Sequence, residues 1–362
     1  MSNQPPIEVP QGAIRFNTDS QKLEFFAQDR WYEMATDVPT LDGGARGVMA
    51  GGLNPGNSDV IDYITISTQG NATDFGNLSS STQYPAGCAS NTRGLIMGGL
   101  QPSRVNVIEY VTISQPGNAT DFGDLTATTG HNAGWSNQTR GLSMAGSTPG
   151  KVNTVNYVTI ASTGNANDFG DINNVVYVSS GSGNSTRGLH IGGAEPGQPA
   201  GINVIDYCTI ATTGNFQDFG DTSGGIFDDM GGSSNGIIAM MAICGADSSL
   251  SKKCDYVRPS TRGNSTYFGD LTTVRAWSNG NNQLCSPTRG CFAGGRVTPS
   301  PNGNINTIDY FTFATQGDAI DFGDMSSARS SYATFSNAHG GLLCLNFKQV
   351  ILKKKTAEHQ IF

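Results

Sequence analysis

Hydrophobic positions in this chain come in short bursts separated by turn residues. Runs such as IDYITI, IEYVTI, VNYVTI and IDYCTI bring together Ile, Val, Tyr and Thr, the bulky and β-branched shapes that suit a pleated sheet. Before each lies a strand of small apolar residues ending at or near a double glycine, as in GVMAGG before Leu53 and GCFAGG before Arg296. A short DFGDL-like run follows, and then a variable stretch such as TGHNAGWSN that leads to the next TRG triplet. Gly-Asn, Pro-Gly and Asn-Gly pairs between the runs supply hairpin turns. The pattern predicts four short antiparallel strands per unit and an all-β fold.

The unit repeats. Its DFG-like phenylalanine falls at Phe75, Phe122, Phe169, Phe219, Phe268 and Phe322, with spacings of 47, 47, 50, 49 and 54 residues. About fifty residues in four strands is one blade of a β-propeller, and small residues suit blades that converge on a crowded axis. Strands after a TRG-like triplet begin at Gly47, Gly94, Gly141, Gly188, Gly236, Gly290 and Gly340, seven in all, whereas the internal IDY and DFG elements number six. The N-terminal KLEFFAQDRWYEM aligns on the missing elements, with Trp31 in the place of the phenylalanine. Seven four-stranded blades are therefore expected, the N-terminal hairpin joining residues 331–347 to close the ring and remove its edges. The alternative is six blades plus an N-terminal hairpin. Residues 1–40 then form an N-terminal arm, 41–347 the propeller and 348–362 a C-terminal tail.

With 14% charged residues and 48 glycines, the surface has to be covered by turns and neutral polar side chains. A net charge of −8 and a pI near 4.9 argue against nucleic acid as a partner, which would require clustered Lys and Arg against the phosphates. The first residues, MSNQPPIEVPQGAI, show no basic start followed by an apolar run, and no stretch is long enough to cross a bilayer, so neither a secretory signal nor membrane insertion is expected. The seven cysteines, Cys88, Cys208, Cys244, Cys254, Cys285, Cys291 and Cys344, have no CxxC spacing, and several fall in apolar strands. Buried, reduced thiols in a reducing cytoplasm are the expectation.

The five units with Arg in the triplet, Arg46, Arg93, Arg140, Arg187 and Arg289, also carry Asp74, Asp121, Asp168, Asp218 and Asp321 in the DFG element. The fifth unit has Asn235 and Tyr267 instead, and the closing blade His339 and Arg30, so both charges are lost together. That coupling predicts an Arg–Asp salt bridge inside each blade. The loops between the glycine strand and the IDY strand vary most in length and chemistry. They emerge on one face of a propeller, which makes Arg104, Lys151, Glu195, Lys252, Lys253 and Arg296 candidate recognition residues. The tail VILKKKTAEHQIF brings three consecutive lysines, for an acidic neighbouring subunit or as a frayed end.

No catalytic, cofactor or metal site is expected. A kinase reading of DFG needs a glycine-rich loop, a lysine strand and an HRD loop, all absent from the sequence, and six near-copies of one motif cannot each be an active site. Walker, HExxH, GxSxG and EF-hand patterns are absent as well. The histidines, His131, His190, His339 and His359, lack ligand spacing. Glycoside hydrolysis needs two carboxyls facing across one bond, whereas the DFGD carboxylates are distributed one set per blade.

The double-glycine strand followed by an aromatic-bearing strand resembles the kelch repeat, with Phe75, Phe122 and their equivalents where kelch units usually place Trp. The combination TRGxxxGG, NxIDYxTI and GNATDFGDL, over about residues 45–346, resembles repeat proteins of marine tailed bacteriophages, notably those infecting cyanobacteria. GAIRFNTDSQKLEFFAQDRWYEM resembles a short module of phage fibre and adhesin proteins, and in that role would be an appended hairpin rather than part of a blade. These resemblances imply a virion structural protein, a tail fibre, baseplate appendage or capsid-associated protein assembled in the host cytoplasm. It would act in host attachment or virion assembly through its loop face. Other virion proteins, a host receptor or polysaccharide, and further copies of the chain are the implied partners. A cytosolic kelch-like adaptor that binds a protein partner is the contrasting function.

Overall fold

The structure is a computed structural model that describes residues 9–17, 22–27, 30–33, 45–196, 201–224, 231–243, 251–275, 283–297 and 303–342. The chain divides into two compact units, Met1–Thr40 with Leu345–Phe362, and Leu41–Cys344. In the first, Ile14–Asn17, Lys22–Ala27 and Arg30–Glu33 form an antiparallel sheet in that order. Phe26 and Trp31 face each other across its strands at 5.3 Å, and Arg15 lies 4.1 Å over the Trp31 ring while bonding Glu24.

The second unit is an all-β propeller with six blades among the described residues. Blade 1 takes Arg46–Ala50, Val60–Thr65 and Thr73–Asn77, and its innermost strand, Ala333–Ser336, comes from the far end of the chain. Blade 2 runs Ala86–Ala89, Arg93–Met97, Val107–Thr112 and Thr120–Asp124 from the axis outward. Blade 3 is Ala133–Ser136, Arg140–Thr148, Gly150–Thr159 and Asn167–Val176, and blade 4 is Ser180–Gly183, Arg187–Ile191, Val204–Thr209 and Gln217–Asp221. Blade 5 is Gly232–Ser234, Ala239–Ala242, Ser251–Val257 and Thr266–Arg275. Blade 6 holds Arg289–Ala293, Thr307–Thr312 and Ile320–Asp324, with a Cys285–Gly290 bridge on its inner side.

The seven-blade expectation is thereby corrected. The variable stretch before each TRG-like triplet is the innermost strand of the next blade, so the sequence unit and the structural blade are offset by one strand. Blade 1 lacks only that strand at its own end of the chain, and Ala333–Ser336 supplies it, with Ala333 opposite Ala50 and Ser336 opposite Gly47. The N-terminal strands pair with one another instead, which fits the alternative of six blades plus an N-terminal element. Beyond Ser336 the chain turns into the hub. His339 is fully buried, its Nε2 3.0 Å from the Ala89 carbonyl and its ring edge-on to Trp135 at 5.2 Å, while the Gly340 amide donates to the Ser234 carbonyl.

Because successive strands reverse, the turns between first and second strands and between third and outer strands share one face, here the turn face. Second-to-third loops and the connectors into the next blade share the other, the loop face. Near the axis the inner strands touch backbone to backbone: a Cβ on Gly134 would collide with the Gly87 carbonyl. The apolar core lies between blades. Phe75, Val48, Ile61, Ile96, Val111 and Phe335 pack at the seam of blades 1 and 2, with Tyr63 meeting Phe75 edge-on at 5.9 Å.

The GNATDFGD motif proves to be an edge cover. The Gly117 amide of blade 2 donates to the Phe75 carbonyl of blade 1 (2.7 Å), the Ala119 amide to the Asn77 carbonyl (2.9 Å), and the Asn77 amide to Asn118 Oδ1 (3.1 Å). Gly70, Ala72 and Asn71 of blade 1 make the same set of bonds to Phe322 and Asp324 of blade 6, so the covering continues across the closure. The turn of each following blade thus occupies the edge that the outer strand would otherwise expose. Gly76 sits at φ +148 with the Gly117 carbonyl where a Cβ would be, which is why the motif ends in glycine.

Candidate functional site on the loop face

The triplet arginines do not bond the DFG aspartates. Arg46 sits opposite Thr65 and Asp74 opposite Asp62; Thr65 and Asp62 are three residues apart, so the two side chains leave opposite faces of the sheet. Arg46 instead lies 4.8 Å over the Tyr63 ring and donates through Nη1 to the carbonyls of Ile113 and Ser114 in blade 2. Arg93 does the same to Ile160 and Ala161, Arg140 to Ile210, Arg187 to Pro259 and Arg289 to Ile66 and Ser67, each over its own tyrosine. They latch one blade to the next. Asp74, Asp121, Asp168, Asp218 and Asp321 are exposed, and no ion pair joins them to these arginines.

Blade 5 also corrects the alignment. Met240 faces Tyr256 as Val48 faces Tyr63, which puts Ile238 in the arginine position, while Asn235 Oδ1 caps the Ile238 amide as Asn137 caps Arg140. Asn235 is a turn cap, and Gly236 and Gly340 begin no strand. The proposed equivalence of Arg30 and His339 lapses with the seventh blade.

The acceptors that repeat-based reasoning missed are those of the IDY element. Asp62, Glu109, Asn156, Asp206, Asp255 and Asp309 are buried, and each takes a backbone amide from the preceding blade, within its outer strand (Asn173, Thr272) or just after it (Ser79, Thr126, Ser223, Ser326), as in Ser79 to Glu109 at 2.9 Å. Two of them gain true Arg partners, Arg329 with Asp62 at 2.8 Å and Arg275 with Asp309 at 2.5 Å, all four side chains fully buried. Burial, eased by the bonds from Asn173, raises the pKa of Asp206. Cys88, Cys208, Cys285 and Cys291 are buried free thiols and Cys254 is buried too; burial pushes Cys285 up to about 11 and Cys208 to about 12, away from reactivity. Cys244 and Cys344, with His359 and the lysines of the tail, lie outside the described residues.

Most of the loop residues expected to recognise a partner are occupied at seams. Arg104 Nε donates to Ser147 Oγ of blade 3 (2.9 Å), Lys151 Nζ to the Ala194 carbonyl of blade 4 (3.0 Å), and Glu195 accepts from Asn174 Nδ2 (2.5 Å). Lys253 bonds Ser223 of blade 4 and pairs with Asp255 at 3.4 Å; Lys252 is exposed and pairs with Asp270 at 3.1 Å. Arg296 is buried and its backbone bridges Asn304, whose side chain reaches the Leu53 carbonyl of blade 1.

Closer to the axis the loop face carries a feature that the repeat does not dictate. Where the connectors enter the inner strands, Tyr84, His131, Val178 and Ser331 take equivalent positions and all have positive φ, 56, 59, 51 and 58°. Their amides link in a collar: Tyr84 to the Ser331 carbonyl, His131 to Tyr84 and Val178 to His131, at 2.8 to 3.1 Å. Tyr84 and His131 stack at 3.8 Å, and Tyr177 meets His131 edge-on at 5.6 Å, so three half-buried rings from blades 2, 3 and 4 form one aromatic cluster. Lys151 lies 4.3 Å over Tyr177. Burial, and then the charge of Arg104, lower the His131 pKa to about 4, so the imidazole is neutral at pH 7, and its Nδ1 is buried without a hydrogen-bond partner. The available signal was the presence of Tyr84, His131 and Tyr177 in the variable stretches QYPAG, GHNAG and YVSSG.

The arrangement offers partly exposed aromatic surface with cations beside it. Among the described residues no cluster of three or more His, Cys, Asp or Glu side chains is placed to hold a metal ion. In comparison with known proteins, no family model matches the chain and no curated protein matches it.

Proposed function

We propose that this chain is a non-enzymatic virion structural protein of a tailed phage, a tail fibre, baseplate appendage or capsid-associated component, and that it binds through its loop face. The observation that carries the binding role is the Tyr84–His131–Tyr177 cluster: the repeated triplet arginines and IDY acceptors hold blades together, whereas these rings break the repeat and stay partly exposed. The virion assignment rests on the motifs TRGxxxGG, NxIDYxTI and GNATDFGDL and on the N-terminal GAIRFNTDSQKLEFFAQDRWYEM. Rigid scaffolds that carry variable loops on one face are suited to attachment or to locking neighbouring subunits. Other virion proteins and a host-surface receptor or polysaccharide are the partners in this reading.

The test is mass spectrometry and antibody labelling of purified particles. Recovery on the tail or head surface supports the proposal. Absence from particles, together with a stable cytosolic complex, would favour a kelch-like adaptor.

A further inference from the structure

We propose that the collar binds an acidic glycan, with a pyranose ring packed against the exposed part of the Tyr84–His131–Tyr177 cluster and its carboxylate directed toward Arg104 and Lys151. The inference rests on the loop face being the binding surface, and it adds the ligand class.

Conformational cost is the first argument. Positive φ strains any residue with a Cβ, and this chain places glycine at most such positions, Gly52, Gly99 and Gly193 among them. Glycine at 84 and 131 would build the same backbone collar with less strain. Of the four collar positions, 84 and 131 carry rings that remain partly exposed, where 178 and 331 carry Val and Ser.

Ring chemistry narrows the occupant. Aromatic faces carry a negative quadrupole that attracts the polarised C–H groups of a sugar ring. A protonated imidazole would lose that property, and His131 stays neutral beside Arg104 at pH 7.

Charge narrows it further. In a chain of net charge −8, two cations flank the same rings: Lys151 over Tyr177, and Arg104 close enough to His131 to shift it. Arg104 spends its Nε on Ser147, and the end of its guanidinium fork suits a carboxylate.

The test titrates the full chain at pH 7 with a galacturonic acid tetramer and with maltotetraose, by calorimetry and by NMR of the tyrosine rings. The acidic tetramer is expected to bind and the neutral one to bind about tenfold more weakly or not at all. Tyr84→Gly and His131→Gly should each cut affinity at least about tenfold while the thermal midpoint stays level or rises, since glycine relieves the strained φ. Arg104→Gln should weaken the acidic tetramer alone. No binding at millimolar concentration, equal binding of both tetramers, or unchanged affinity in both glycine variants would overturn the proposal. Particles carrying Tyr84→Gly separate the two levels: impaired attachment without glycan binding sinks the glycan and keeps the loop face, whereas normal attachment and normal glycan binding sink both.

Discussion

Gly76 and Asp74 sit two positions apart in one motif and carry opposite lessons. Gly76 has to accommodate the turn of the next blade at its Cα, so Gly76→Ala should cost roughly 2–3 kcal/mol in denaturant titration, by clash and by strain at positive φ. Gly117→Ala is the control, because open space surrounds that position, and it should move stability by less than about 0.5 kcal/mol. Asp74 is exposed and unpaired with Arg46, so Asp74→Ala should also stay within about 0.5 kcal/mol. Arg46→Met should cost about 1–2 kcal/mol through the lost carbonyl bonds and the lost stacking on Tyr63. The co-occurrence of Arg and Asp was legible in the sequence; its meaning was not. Arg46 ties one blade to the next while Asp74 lies exposed, and co-occurrence in a repeat cannot separate direct contact from shared membership of one unit.

At the scale of strands and blades, the seams organise the molecule. The third strand of each blade presents a buried acceptor to the blade before it, and at blades 6 and 1 that acceptor is the Asp62 carboxylate with Arg329 against it. Asp62→Ala leaves the Arg329 charge buried alone and should cost about 3–5 kcal/mol, whereas Asp62→Ala combined with Arg329→Met should recover a good part of that loss. A double-mutant cycle by denaturant unfolding checks both. Strand identity and the turns were readable, since alternation, β-branching and Gly-Asn pairs act locally. The offset between sequence unit and blade was not, and neither was the shift that puts Ile238 in the arginine position of blade 5. Both depend on which strand edge a segment joins. The collar lay in the stretches that appeared least informative, because its character comes from backbone conformation and from rings contributed by three blades.

For the whole molecule, closure and acid response follow from burial. Ending the chain at Ser331 would remove the innermost strand of blade 1 and the His339 plug. The expected outcome is an open sheet edge with loss of the cooperative thermal transition and concentration-dependent association, read by circular dichroism and size exclusion. Burial lowers His190 to about 3 and both His131 and His339 to about 4. Above the unfolded value near pH 6.5 folded and unfolded chains are alike neutral at these sites, so their contribution to stability is complete there. As pH falls below it the unfolded chain takes up protons that the folded chain refuses, so stability drops between pH 6.5 and 4, by about 2 kcal/mol per buried histidine at pH 5. Unfolding free energies at pH 7.5 and 5 test this, and His190→Gln should shrink the difference by about 2 kcal/mol, leaving the part due to His131 and His339. The amino-acid sequence by itself determined an all-β propeller of fifty-residue units, because side-chain alternation, turn chemistry and repeat period are written within one unit. Only the tertiary structure decided that there are six blades, that Ala333 pairs with Ala50, which groups tie the seams and where three rings meet. Those features are pairings between segments far apart in the chain, chosen by which edges and cavities the folded ring leaves to be filled.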